Sequence, residues 1–353
     1  MKKIKFTLDN ETGCLTGEGA RKYFSIVGLA TFLFTVVYFL GSILAGIAIG
    51  YLSHFLYESE TLYRLVYNFL SLVPLYGMAF PVFYLILRRL PKDSVSREKM
   101  GGAGFFKGIF VCLFVMMAGN YISQLLLGFF QMLSGRIVTN PVDEITSGQG
   151  FWINVLFVAV LGPILEELVF HKFLCDRLLP LGEGYAVVLS AAIFGLVHGN
   201  FFQFFYAFFL GMIFALIYIK TGRIRYTVFY HCVLNFLCGM VSTWILERVE
   251  PLMSEESLTR MTELSQQGTT EALKEMITSF LIPMIPLLVY ELIVLGGSIC
   301  GMVFFIIGYK KIRLEKGLLP PPEKGRVANV FLTGGVAAAL AAFAVIFVLS
   351  LMA

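Results

Sequence analysis

FWINVLFVAVLGPILEELVFHKFL, residues 151–174, is an apolar run whose only formally charged side chains are Glu166, Glu167 and Lys172. About 20 apolar residues in a helix cross a bilayer's hydrocarbon core, and this run is long enough. A soluble helix would confine its apolar residues to one stripe. Here they surround the axis, so the surroundings must themselves be apolar. The two adjacent glutamates then stand where a charge costs about 2.5–3.5 kcal/mol or more to insert.

The rest of the chain repeats the pattern. Its 353 residues are 58% hydrophobic and only 14% charged, with a mean hydropathy of +0.81. A soluble domain of this length needs more charge to solvate its surface. Nine apolar segments are expected, at about 23–52, 62–88, 105–134, 150–179, 185–199, 201–219, 226–246, 278–309 and 328–352. The fifth is short, and its division from the sixth rests on Gly199 and Asn200. The expected fold is an all-α, polytopic transmembrane helical bundle of eight or nine spans. Residues 1–24, MKKIKFTLDNETGCLTGEGARKYF, are polar for too long to be the start of a signal peptide, so the first span is expected to be retained. The six cysteines are scattered without a CxxC pair and read as small buried hydrophobes.

Charge sets the orientation. With the N-terminus cytoplasmic and the spans alternating, all but five of the 27 basic residues fall in inside segments. They run from Lys2 and Lys3 through Arg88, Arg89, Arg97 and Lys172 to the group at 310–326. The exceptions are Arg64, Arg136, Arg248, Arg260 and Lys274. Such a bias is the positive-inside pattern. It follows topology instead of forming a patch, which argues against a nucleic-acid partner. Five regions result: a cytoplasmic segment 1–22, N-terminal spans 23–134, a core 150–246, an acidic extracytoplasmic loop 247–277 carrying a surface helix, and C-terminal spans 278–353.

The polar residues inside spans are few. Besides Glu166 and Glu167 there is Glu291, alone in VYELIVLGG and read as structural. His198 ends AAIFGLVHGN, and His231 lies four residues before Asn235, on the same helical face. At about 1.5 Å per residue, Glu166 and His198 both sit roughly 20 Å from the cytoplasmic turn near 180–184. His231 and Asn235 enter from the same side, so one polar pocket is expected to contain all four. Adjacent helical residues point about 100° apart, so Glu166 and Glu167 are not expected to face one partner directly. Gly162 and Pro163, just before them, are expected to bend the helix and open space beside Glu166.

Three motifs now stand in order, each on its own span: Glu166-Glu167-Leu168-Val169-Phe170-His171, then Phe194-Gly195-Leu196-Val197-His198, then His231-Cys232-Val233-Leu234-Asn235. This order resembles the CAAX-protease and bacteriocin-processing family of intramembrane proteases, over residues 150–240. The family places Arg at the end of its first motif, where this chain has His171. The resemblance implies an intramembrane endopeptidase acting on membrane-embedded or membrane-associated peptides. Glu166, assisted by His198, would act as general base on water. His231 and Asn235 would donate to the tetrahedral oxyanion. Glu167 would be supporting, with His171 and Phe194 beside it.

Members of the family are also labelled metalloproteases, and Glu166, His198 and His231 are the set that would hold zinc. No HExxH motif is present and the metal-free mechanism needs no further ligand, so no cofactor is favoured. Two other classes use buried Glu and His: a non-catalytic scaffold or bacteriocin-immunity protein of the same fold, and a proton-coupled transporter. The transporter would be supported by inverted repeats, and none is seen.

Overall fold

The apolar segments are helices, and their ends are set by caps. In a computed structural model, residues 3–56, 58–93, 98–142 and 150–352 are described. Lys2 and Arg97, counted among the inside charges, lie outside them. The first helix, α1, runs Gly17–Leu56 and begins earlier than the apolar run. Thr16 explains the start, because its hydroxyl accepts the Gly19 amide at 3.1 Å and satisfies a free donor of the first turn.

There follow α2 (Glu60–Leu87), α3 (Gly102–Ser134), α4 (Phe151–Leu181), α5 (Glu183–Val197), α6 (Phe201–Thr221) and α7 (Ile224–Met253). After them come α8 (Glu255–Gln267), α9 (Thr270–Lys311) and α10 (Gly334–Ser350). Seven of these are long and apolar enough to cross a membrane, while α5 and α10 are apolar but shorter. The chain is therefore a multi-pass integral membrane protein, with the nine expected segments present as helices. Helix α8 is the surface helix expected in the acidic loop, joined to the start of α9 by an Arg260–Glu275 pair at 3.0 Å. The division at Gly199 and Asn200 is a true turn: Gly199 has φ +69°, and Asn200 caps α6 by accepting the Gln203 amide at 3.0 Å.

Lipid offers no hydrophobic drive for helices to associate, so close backbone approach matters. The α3–α9 contact is closest at Gly301, where a Cβ would lie 1.9 Å from the Phe110 carbonyl oxygen. The α1–α10 contact is closest at Gly335, where a Cβ would lie 2.0 Å from the Ser25 carbonyl oxygen. At one end of the bundle the segment after α9 straps the α4–α5 turn. Leu319 N–H donates to the Pro180 carbonyl at 2.6 Å and Glu183 N–H to the Glu315 carbonyl at 3.0 Å. The same segment holds the N-terminal hairpin, since Leu15 N–H donates to the Pro320 carbonyl.

Two sequence readings need adjusting. Only Cys112 and Cys175 are buried; Cys300 is exposed on the outer surface of α9, where lipid makes a small apolar side chain equally at home. Glu291 is likewise exposed, on the same helix.

Candidate active site

Helix α4 is not uniformly α-helical. A short α-helical stretch, Gly162–Glu166, lies between two π-helical stretches, Val155–Leu161 and Glu167–Leu174. A third π stretch, Asn235–Val241, continues α7 directly after the His231 turn. Such wider turns occur often at functional sites. The first two bracket Pro163, which has no N–H to give to the ladder, and the second begins on Glu167.

The side chain of His231 lies between the two glutamates. Its Nδ1 is 3.0 Å from Glu167 Oε1, and its Nε2 is 3.5 Å from Glu166 Oε2. This corrects the expectation that adjacent glutamates cannot share a partner. An imidazole carries nitrogens on two edges, so carboxylates that diverge from a helix can each meet a different edge. Three groups therefore share a short proton-bearing line, Glu167–His231–Glu166.

The two carboxylates differ in access. The Glu166 side chain is 22% exposed and that of Glu167 is 0% exposed. Glu167 is sealed below His231 with His171, whose Nε2 lies 3.9 Å away and whose Nδ1 meets Ser190 Oγ at 3.2 Å. Around Glu166 stand three tyrosines from three other elements, Tyr38 of α1, Tyr76 of α2 and Tyr206 of α6. The Tyr76 hydroxyl also reaches the Gly162 carbonyl at 3.5 Å.

Phe194 fixes the histidines. Its buried ring lies edge-on to three of them, with centroid separations of 5.0 Å to His171, 5.1 Å to His198 and 5.9 Å to His231. Edge-to-face contact is a favoured aromatic geometry, worth about 0.5–1.5 kcal/mol per pair beyond burial. Phe214 of α6 backs the cluster, 5.3 Å from the His231 ring and 5.7 Å from that of His171.

His198, just beyond the end of α5, joins the others across Phe194. Its Nδ1 meets the Phe194 carbonyl at 2.9 Å. A carbonyl only accepts, so Nδ1 carries the proton and the neutral ring presents Nε2 as a base. Asn235 donates one amide N–H to the Val158 carbonyl at 3.0 Å, which ties α7 to the first π stretch of α4. The second N–H of that amide is the one left for other chemistry.

His231 thus lies against both Glu166 and Glu167, with His171 3.9 Å from Glu167, His198 across Phe194 and Asn235 one turn from His231. Ser190, Phe214, Tyr38, Tyr76 and Tyr206 were not singled out in the sequence. Ser190 and the tyrosines did carry a signal, as hydroxyls within apolar segments, but Phe214 looks like any core aromatic.

Known proteins share this arrangement of sequence. Residues 148–237 match the family model "Type II CAAX prenyl endopeptidase Rce1-like". This match and the relatives below support membership of the CAAX-protease and bacteriocin-processing family. Among relatives of this CAAX-protease-like protein is YdiL of Bacillus subtilis (strain 168), a candidate membrane peptidase by its name. It is 26% identical over 182 residues, which are 50% of this chain and 71% of YdiL. "Membrane-embedded CAAX protease MroQ" of Staphylococcus aureus (strain USA300) is 33% identical over 119 residues, 31% of this chain and 44% of MroQ. No solved structure matches the chain. All the glutamates, histidines and Asn235 of the site lie within the family match; Tyr38 and Tyr76 lie outside it.

A zinc ion would need three protein donors facing one point. Among the described residues, no three His, Cys, Asp or Glu side chains converge as a metal-holding group. Within the set Glu166, His198 and His231, His231 Nε2 lies near Glu166 Oε2 at 3.5 Å, while His198 stands apart from both across the Phe194 ring. As placed, the set does not fit a tetrahedral ion.

Proposed function

We propose that the chain is an intramembrane endopeptidase in which Glu166 activates the attacking water. The observation that carries this reading is the unequal exposure of two carboxylates joined through His231: the Glu166 side chain is part-exposed and that of Glu167 is sealed. Glu166 takes a proton from water, and the hydroxide adds to the scissile carbonyl carbon. The tetrahedral oxyanion collapses with cleavage of the C–N bond, as the proton passes back from His231 Nε2 to Glu166 and on to the leaving amine. His198 Nε2 accepts from the water and orients it.

The oxyanion receives the free Asn235 N–H and, once the proton on the Glu166–His231 line lies on Nε2, the His231 N–H as well. Each such donor is worth about 3–4 kcal/mol. Glu167 fixes the ring of His231 from behind and touches no substrate. The substrate is a peptide in or at the bilayer, and no step requires a metal.

The test begins in cells. Peptides that accumulate in a deletion strain should disappear when the wild-type chain is restored and persist with Glu166→Gln. With the purified full-length protein in liposomes, cleavage of those peptides should fall by about 10²–10⁴-fold in Glu166→Gln, the usual worth of a general base. Undiminished cleavage would remove Glu166 from the role and favour a scaffold. Activity should survive prolonged chelation; loss by chelator with recovery on adding zinc would overturn the metal-free chemistry.

A further inference from the structure

A cavity of about 250 Å³ opens beside His198, between α1, the α5–α6 turn and α10. It shares two walls with the candidate active site, His198 itself and Tyr38, the latter within electrostatic reach of Glu166. Whatever fills it therefore lies next to the reacting groups. Its other walls include Phe34, Phe39, Phe343 and Ile346.

Apart from His198 Nε2, the polar side chains of Thr35, Ser42, Asn200 and Ser350 in the lining are already committed. The Thr35 hydroxyl donates to the Thr31 carbonyl at 2.9 Å, that of Ser42 to the Tyr38 carbonyl at 2.9 Å and that of Ser350 to the Phe347 carbonyl at 2.9 Å. Asn200 gives its amide N–H groups to the His198 carbonyl and Gln203 Oε1. Among the described residues, no Asp, Glu, Lys or Arg lines the cavity. A charged side chain entering it would lose its water and gain no counter-ion, whereas an apolar one would leave no partner unsatisfied. In size, a dry cavity of about 150 Å³ with such walls takes a benzene ring.

We infer that this cavity is a substrate subsite for one bulky apolar side chain of the leucine, methionine or phenylalanine class, on a residue flanking the scissile bond; the assignment rests on the peptidase reading above. Two of its walls, α1 and α10, lie outside the family-matched residues 148–237, and the third, the α5–α6 turn, lies within them. Its depth is set where α10 meets the α5–α6 turn. Ile346 packs there on Gly199, at which a Cβ would come within 2.9 Å of Ile346 Cγ2. Ile346 and Phe343 thus act as a gauge and touch none of the reacting groups.

The experiment uses the full-length protein in liposomes and a library of apolar peptides varied one position at a time around the cut. Wild type should favour Leu, Met or Phe over Lys, Asp and Gly at one flanking position. Ile346→Trp should move that position alone toward Ala and Val, with large residues losing about tenfold in kcat/KM, the scale of one or two methylenes in an apolar pocket. Phe343→Ala should move the same position the other way, toward Trp.

A second measurement separates this inference from the peptidase reading. In Glu166→Gln protein, a leucine-bearing peptide should bind more tightly than its lysine twin, and Ile346→Trp should erase the difference. Equal binding of the two peptides, or loss of all peptides alike in both pocket variants, would overturn the subsite. So would retained selectivity with displacement of a bound lipid from the cavity. If cleavage persists in Glu166→Gln while the binding difference holds, the base assignment falls and the subsite stands.

Discussion

Ser190 has one hydroxyl proton, and at 2.8 Å it goes to the Phe170 carbonyl. Its oxygen can therefore only accept from His171 Nδ1, 3.2 Å away, which places a proton on that nitrogen. His171 Nε2 then faces Glu167 at 3.9 Å, too far for a hydrogen bond. A neutral ring offers Glu167 nothing there, and a cationic ring offers an ion pair. The family's arginine would be charged at every working pH and could fork onto the carboxylate. The sign follows: support from His171 is present while the ring holds its second proton and is lost as pH rises. In His171→Arg, kcat/KM at alkaline pH should exceed wild type by about tenfold, the scale of one charge-assisted hydrogen bond, with the two converging at acid pH. A profile unchanged by the substitution would show that Glu167 needs no cation from this position. A thermal melt of each variant guards against crowding by the larger side chain between Phe194 and Phe214.

Helices differ in how much of their placement could be read from residues. The spans were legible because lipid demands long apolar runs, and Glu166, Glu167, His198, His231 and Asn235 because polar groups in such runs are costly. The π stretches of α4 and α7 were not, since a change in the backbone ladder has no residue signature beyond Pro163. Nor was the grouping of Tyr38, Tyr76 and Phe214 about the site, because aromatic residues are ordinary in every span and their meeting is tertiary. The α1–α10 contact was equally hidden, as Gly28 and Gly335 lie far apart in sequence. It is testable at the level of the element. In Gly335→Ala the added methyl would overlap the Ser25 carbonyl, a crowding that costs about 1–3 kcal/mol. Gly334→Ala adds its methyl where nothing lies within 4 Å. Melting in detergent should show a lowered midpoint for the first variant and none for the second. Equal midpoints would mean that the two helices separate at little cost.

For the molecule as a whole, the membrane fixes which end of the bundle the substrate meets. The orientation expected from the basic residues puts the N-terminal hairpin and the strap after α9 in the cytoplasm, and the α8 helix with its acidic neighbours outside. The hairpin and strap are one body, joined by Leu15 and Pro320, and they close the α4–α5 turn against the same end of the bundle. On the N-terminal hairpin, Asp9 accepts the Thr12 amide, the Thr12 hydroxyl and the Glu11 amide, which hold its carboxyl below the ordinary carboxylate range. The orientation is tested with two single cysteines in a cysteine-free background, Glu11→Cys on the hairpin and Glu256→Cys on α8, both at exposed positions. A membrane-impermeant maleimide applied to intact cells should label position 256 and leave position 11 unlabelled until the membrane is opened. Labelling at 11 alone would invert the bundle. It would then place the strap and the α4–α5 turn outside the cell, and substrate arriving from the cytoplasm would have to enter beside α8 instead.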